Sequence, residues 1–374
     1  MRLVLIYSAL LTAAMVGAYI SWTGDAPSKV EAASEAVAVY SARSGDVKSL
    51  AWASEDLDVR IERRTDELGE HIWVVVDERK KTPKPPPPEP EGDDTPEDGE
   101  DPGTPEDAPE GPDAPDAEDA PAGEGDATTD DADEPEVEYD IEDIHTEFLG
   151  NDSAVGLFES FEPLMAERQL ASEGADLEAF GLTDPEATLT VMRGDTPTKI
   201  QLGGSTYGSR DRYAQSDGRL LLLDDTAVRP IQFAASRLIE RNLMPVQEAE
   251  LDGIRVEMNG QAVDLVQRNK DDRQAAYWAR QDDPDNSDDL AGTWISKLTR
   301  LKASKYVSDG AVAGALPVFS ATVIAGSDRW PVTILKTADS TQFFAQSSFN
   351  RGTVELTASL AEEATADVSE LFDQ

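Results

Sequence analysis

The sequence predicts an α+β protein made of two tandem copies of one unit, each three strands, a helix, four strands and a helix on mostly antiparallel sheets. An N-terminal transmembrane helix and a disordered acidic insertion complete the expectation. Three observations carry it. Apolar and polar residues alternate at period two in several segments, as at Leu57, Val59 and Ile61 and at Ile254, Val256 and Met258, the mark of strands with one wet face. The order of elements that begins near Val47 begins again near Val246; Trp73 is answered by Trp278, and Ala214-Gln215-Ser216 by Ala345-Gln346-Ser347. A proline-rich acidic tract interrupts the first copy only. The expected boundaries are an anchor over 1–24, a spacer over 25–36, a first repeat over 37–244 interrupted at 80–140, and a second repeat over 245–374.

The elements follow in order. Leu3 to Trp22 is a run of 20 residues without charge. As a helix it is about 30 Å long, enough to cross a hydrocarbon core. Arg2 precedes it and Asp25 follows, so the positive-inside rule puts the N-terminus in the cytoplasm and the body outside. The competing reading is a cleaved signal peptide, with small residues at Val16-Gly17-Ala18. Both readings export the body, so the expected location is the bacterial inner membrane with the bulk of the chain in the periplasm.

Strands are expected at Val47–Ala53, Leu57–Arg63 and Ile72–Val76, then a helix over about Asp152–Met165 capped from Asn151 to Ser153. Four strands follow at Ala187–Met192, Lys199–Leu202, Arg212–Gln215 and Arg219–Leu223. Asp217-Gly218 is a two-residue hairpin signal, because glycine accepts the positive φ of a primed turn. A helix over about Thr226–Arg241 tolerates Pro230 only near its first turn. The second copy offers strands at Ile254–Met258, Val263–Leu265 and Ala276–Arg280, with Asn259-Gly260 as a turn. A helix over about Asp288–Leu301 precedes strands at Ala321–Ala325, Val332–Leu335, Phe343–Gln346 and Thr353–Leu356. Ser359–Phe372 closes the chain as a helix.

Residues Glu89 to Asp140 hold 24 acidic side chains and no basic one, more than half of the net charge of −44. Such a segment lacks the apolar surface to offset the entropy of ordering, so 80–140 is expected to be disordered. At the same point the second copy has only Gln281 to Ser287. The tract is therefore expected to leave and re-enter one domain, a long loop that adds little closure entropy.

Composition excludes several functions. Nucleic acid is an improbable partner for a chain this acidic, since phosphate contacts need Lys/Arg patches. With no cysteine there are no disulfides, thiolate nucleophiles or cysteine metal sites. The two histidines, His71 and His145, have no metal-ligand spacing and read as packing or solvated groups. Asp282 to Asp289 is rich in hard oxygen ligands but lacks the glycine and glutamate of a calcium loop, and it directly precedes a helix, where carboxylates cap free amides. Gly203 to Ser209 has no lysine and no following helix, so it reads as a wide hairpin loop and not a phosphate cradle. Ser153 and Ser209 have no base nearby in sequence. No catalytic residue, cofactor site or metal site is assigned; weak divalent-cation binding by the acidic insertion is the one metal expectation.

Several segments converge on a known pattern: Asp176-Leu177, then Gly181-Leu182-Thr183-Asp184-Pro185, then the strand Ala187–Val191, then Ile200-Gln201-Leu202-Gly203, Tyr213-Ala214 and Leu221-Leu222-Leu223. This resembles the bacterial domain of unknown function 4340. The resemblance covers roughly Val47 to Met244 without the acidic tract, with a weaker echo from Val246 to Phe372. It implies a membrane-anchored, repeated extracytoplasmic domain that accompanies ABC-type export systems, including ones like those of gliding motility. It implies no catalytic residues.

The function expected is a non-enzymatic, membrane-anchored accessory or binding module, with permease and ATPase components of a transporter as partners. A cation-binding or envelope scaffold built on the acidic loop is an alternative, and a cell-wall-directed hydrolase another.

Overall fold

The period-two alternation does become strand, and it does so over more of the chain than the sequence suggests. The computed structural model describes residues 36–84, 139–208, 210–338 and 341–373. The run Leu3–Trp22 and nearly all of the acidic tract lie outside the described residues. Strands β1 (Val37–Ala38), β2 (Val47–Ser54), β3 (Leu57–Asp66), β4 (Gly69–Pro83) and β5 (Tyr139–Leu149) precede helix α1 (Asp152–Ser160). Next come β6 (Met165–Ala166), β7 (Arg168–Leu170), β8 (Ala187–Arg193), β9 (Thr196–Ser205), β10 (Asp211–Ser216) and β11 (Arg219–Asp224). Helices α2 (Asp225–Gln232) and α3 (Ala234–Arg237) follow. The remaining elements are β12 (Gly253–Met258), β13 (Gln261–Arg268), β14 (Tyr277–Arg280), α4 (Asp289–Arg300), β15 (Ala303–Val307), β16 (Ala315–Ala325), β17 (Asp328–Thr337), β18 (Phe343–Ser347), β19 (Gly352–Leu356) and α5 (Ala358–Glu370).

Besides the small β1–β6 pair there are two sheets, nine strands in the order β5-β4-β3-β2-β8-β9-β10-β11-β7 and eight in the order β14-β13-β12-β16-β17-β18-β19-β15. This overturns the α+β expectation. The protein is predominantly antiparallel β, and its described helices are a minority. The three-strand, helix, four-strand, helix unit fails on three strands that line the sheet edges. β5 carries Asp140, Glu142, Asp143 and Glu147, charges that read as a continuation of the acidic tract but suit an edge strand. β15 is a short strand directly after α4, and β7 a three-residue strand that follows α1 and the two-residue β6. The helix expected over 226–241 is also broken, into eight and four residues. Pro230 has no N–H to offer the preceding turn, and the chain leaves helical geometry at Phe233. No helix among the described residues is long and apolar enough to cross a membrane.

Apart from β5, the two sheets use one strand order: β4-β3-β2-β8-β9-β10-β11-β7 runs parallel in sequence to β14-β13-β12-β16-β17-β18-β19-β15. Ala214 and Ala345 occupy corresponding strands, β10 and β18, and both are buried. The tryptophans do not correspond. Trp73 pairs with Glu62 on the face opposite Ile61 and Val74, and its Nε1 donates to Glu147. Trp278 lies on the core face with Leu265 and is buried. It pairs with Gln267, two residues past Leu265, as Ile72 pairs with Arg63, two residues past Ile61, so Trp278 corresponds to Ile72. An offset of one residue in a strand reverses the face.

The turns behave as the sequence requires. Asp217 and Gly218 have φ of 49° and 72°, and Asn259 and Gly260 of 51° and 81°, both two-residue primed turns. Of the described residues, those of Met1–Arg79 and Asp143–Gln374 form one compact unit, which holds a continuous apolar core, and those of Lys80–Glu142 form a second. Within the first, Asp77 meets His145 and Ile72 meets Gly150, so β4 and β5 run antiparallel.

Candidate binding cleft

Helix α1 is placed by its cap. Asn151 Oδ1 accepts from Ser153 N at 2.9 Å and Ala154 N at 3.2 Å, satisfying amides that a helix start leaves free. The same side chain's Nδ2 donates to the carbonyls of Arg237 and Ile239, tying α1 to the end of α3. Helix α2 starts at Asp224, whose Oδ1 accepts from Thr226 N at 2.9 Å. Its first residue, Asp225, accepts from the buried Arg212 at 2.7 Å. Val228 and Ile231 face the core, as do Ala154 and Phe158 on α1.

What remains between the helices is a cleft of about 550 Å³. Leu157, Ala227, Pro230 and Leu238 line it with apolar surface, Ser160 and Thr226 with hydroxyls, and Arg237 with a cation. Beside it Phe233 is 45% exposed, with the guanidiniums of Arg229 and Arg237 at 5.9 and 5.7 Å from its ring centroid. Among the described residues neither arginine pairs with a carboxylate, unusual freedom in a chain of net charge −44.

The second sheet shows the same space closed. The buried positions of α1 and the residue after it (Ala154, Leu157, Phe158, Phe161) match those of α4 (Ala291, Trp294, Ile295, Leu298) at the same spacing from the caps Asn151 and Asp288. Asp224 and Thr357 likewise open α2 and α5. Trp294 fills the gap, fully buried, and its Nε1 donates to Ala364 O at 3.0 Å. Lys297 latches α4 to Asp367 of α5 at 2.6 Å. On the first sheet these three places hold Leu157, Ser160 and Ala234. Indole volume and ion pair are both missing, and the cleft is the result.

Of the residues singled out from the sequence, Ser209 lies outside the described residues; Ser153 is in the first turn of α1 and lines the cleft, and the described others lie elsewhere. His71 packs edge-on to Trp73 beside Asp66, and His145 bonds Asp77 at 2.6 Å on the exposed β5 edge. Its proton is held above the ordinary histidine range chiefly by that bond. In the Asp282–Asp289 segment, Asp288 caps α4 through Ala291 N at 2.9 Å and pairs with Arg280, while Asp283 holds Asn286. No three acidic or histidine side chains among the described residues converge to hold a metal ion.

The wide loop expected from Gly203 is shorter than that, because Gly203 and Gly204 are still in β9. Gly203 has a packing reason: a Cβ there would lie 2.2 Å from the Phe180 carbonyl, which accepts from Gly204 N. Sequence reasoning missed Phe233, Arg229 and Arg237. The available signal was a proline inside a helical pattern followed by an aromatic between two arginines.

No curated protein and no solved structure matches this chain. A family model matches residues 145–316, from the end of β5 across α1, the cleft and both helices after β11, and into β16. The match therefore straddles the two sheets, where the motif resemblance had its main weight before Met244. Over residues 145–316 the chain is similar to a domain of unknown function, DUF4340.

Proposed function

We propose that this chain is a membrane-anchored, extracytoplasmic accessory protein that binds a partner protein, as a component of an ABC-type export system. The observation that carries the reading is the cleft between α1 and α2, open where the corresponding space beside α4 is sealed by Trp294. An apolar hollow with unpaired cations at its rim suits recognition of another protein surface better than storage of unused space. The uncharged run Leu3–Trp22 supports the anchor, and the transporter rests on the resemblance of the sequence motifs.

The test places a photo-crosslinking residue at Ser160, inside the cleft, and another at Gln261, on the β12–β13 turn, in the full chain in native membranes. A discrete adduct from Ser160 alone, identified as a permease or its ATPase, is expected. Equal labelling from both positions, or none from the cleft, overturns the reading.

A further inference from the structure

We infer that the α1–α2 cleft receives an aromatic side chain from an acidic segment of the partner, an inference that rests on the partner-binding reading above. The internal comparison supplies the shape. Where the chain closes the corresponding space itself, it uses the planar ring of Trp294, buried to 0% exposure and anchored by one N–H bond to a helix carbonyl. On the first sheet that position is Leu157, and Gly156 stands one residue earlier where α4 has Thr293, so ring-sized room is left open.

Charge supplies the rest. The sealing latch of the second sheet is Lys297 with Asp367. The open cleft keeps no such pair but has Arg229 and Arg237 stacked on Phe233. Arg229 takes the place of Glu362 on α5, counted from the two caps, so the sign at that position is reversed. Two guanidiniums held on an aromatic face are pre-positioned for carboxylates, and Phe233 offers apolar contact beside them. Aromatic insertion into a desolvated pocket, ringed by charge pairs, is the usual make-up of a dominant interface contact.

The probe is a synthetic decapeptide with one tryptophan among glutamates, titrated calorimetrically into the purified full chain in detergent. Saturable binding is expected, weakened by at least about tenfold when the peptide's tryptophan becomes alanine or its glutamates become lysine. Leu157→Trp should fill the cleft as Trp294 does and abolish binding with the melting transition retained. Arg229→Glu with Arg237→Glu, both on the surface, gives the same loss should the tryptophan variant fail to fold. Binding that survives Leu157→Trp, or that ignores the peptide's charge, overturns the inference. So does a concentration-dependent dimer abolished by Leu157→Trp, which assigns the cleft to a second copy. A crosslinked partner at Ser160 with no peptide binding leaves the accessory reading standing and removes this chemistry alone.

Discussion

Arg351 grips Asp66 with both arms of its guanidinium, Nε to Oδ2 at 2.5 Å and Nη2 to Oδ1 at 3.1 Å. Asp66 ends β3 at the hairpin before β4, and Arg351 sits in the turn between β18 and β19 with φ +56°. One side-chain pair thus joins a turn of the nine-stranded sheet to a turn of the eight-stranded one. The Arg351 hydrogen bond, aided by Leu68 N, holds the Asp66 carboxyl at about 2, below the ordinary 3.8. A depressed folded value means the pair's contribution is complete above pH 3.8 and is lost as pH falls through about 2. Asp66→Asn should therefore lower the melting temperature at pH 7, and its gap to wild type should shrink to a small fraction of that as pH falls to about 2. An equal gap between the two proteins at both pH values would show that the carboxylate charge plays no part.

His145 gives the opposite sign. Its link to Asp77 raises its proton affinity above that of a free histidine at 6.5, so the stability it contributes is complete below pH 6.5 and fades as pH rises through the folded value. Proton NMR should find His145 titrating above 6.5, and Asp77→Asn should bring it back. Titration at or below the free value in the unaltered protein removes the interaction.

Glu162 is a different kind of carboxylate, with only 2% of its side chain exposed. It accepts from Gly45 N at 2.8 Å, Val47 N at 3.0 Å and Arg63 at 3.3 Å, and so fixes the start of β2. Glu162→Ala leaves two amides without their acceptor and Arg63 with Glu70 alone, a loss of about 3–5 kcal/mol in denaturant unfolding. A cost under about 1 kcal/mol would mean that water replaces the carboxylate freely.

The strands inside each sheet were legible where they obey period two, and two hairpins were marked by Asp217-Gly218 and Asn259-Gly260. The edges were not. β5 hides its alternation of exposed Asp143, His145 and Glu147 with the more buried Ile144, Thr146 and Phe148 in acidic composition, since an edge strand needs charge where a central strand needs apolar cover. Trp73 and Trp278 misled because tryptophan marks burial in one case and a wet face closed by Glu147 in the other. The cleft was illegible for a simpler reason. It is defined by what Leu157, Ser160 and Ala234 lack, and only the packed neighbour around Trp294 shows what belongs there.

That neighbour can be opened. Trp294→Ala removes a fully buried indole and its bond to Ala364 O, at a cost of about 3–5 kcal/mol. Lys297→Ala breaks only a partly exposed latch and should cost about 0.5–1 kcal/mol. The ranking matters more than either value, and urea unfolding of both variants measures it. A latch mutant as damaged as the tryptophan mutant would mean that ionic closure, and not ring volume, holds α4 to α5.

The acidic tract joins strands that are already neighbours. β4 ends at Pro83 and β5 begins at Tyr139, the two run antiparallel, and Lys84 Nζ lies 3.7 Å from Asp140 Oδ1. Closing a long loop differs from closing a short one only logarithmically, so replacing residues 85–138 with Asn-Gly should shift stability by no more than about 1–2 kcal/mol. The excised protein should keep a single cooperative melt and the strand-rich circular dichroism of the intact chain. Loss of the cooperative transition would mean that the tract supplies structure to the sheet it leaves, and the view of it as an excursion from an edge hairpin would be wrong.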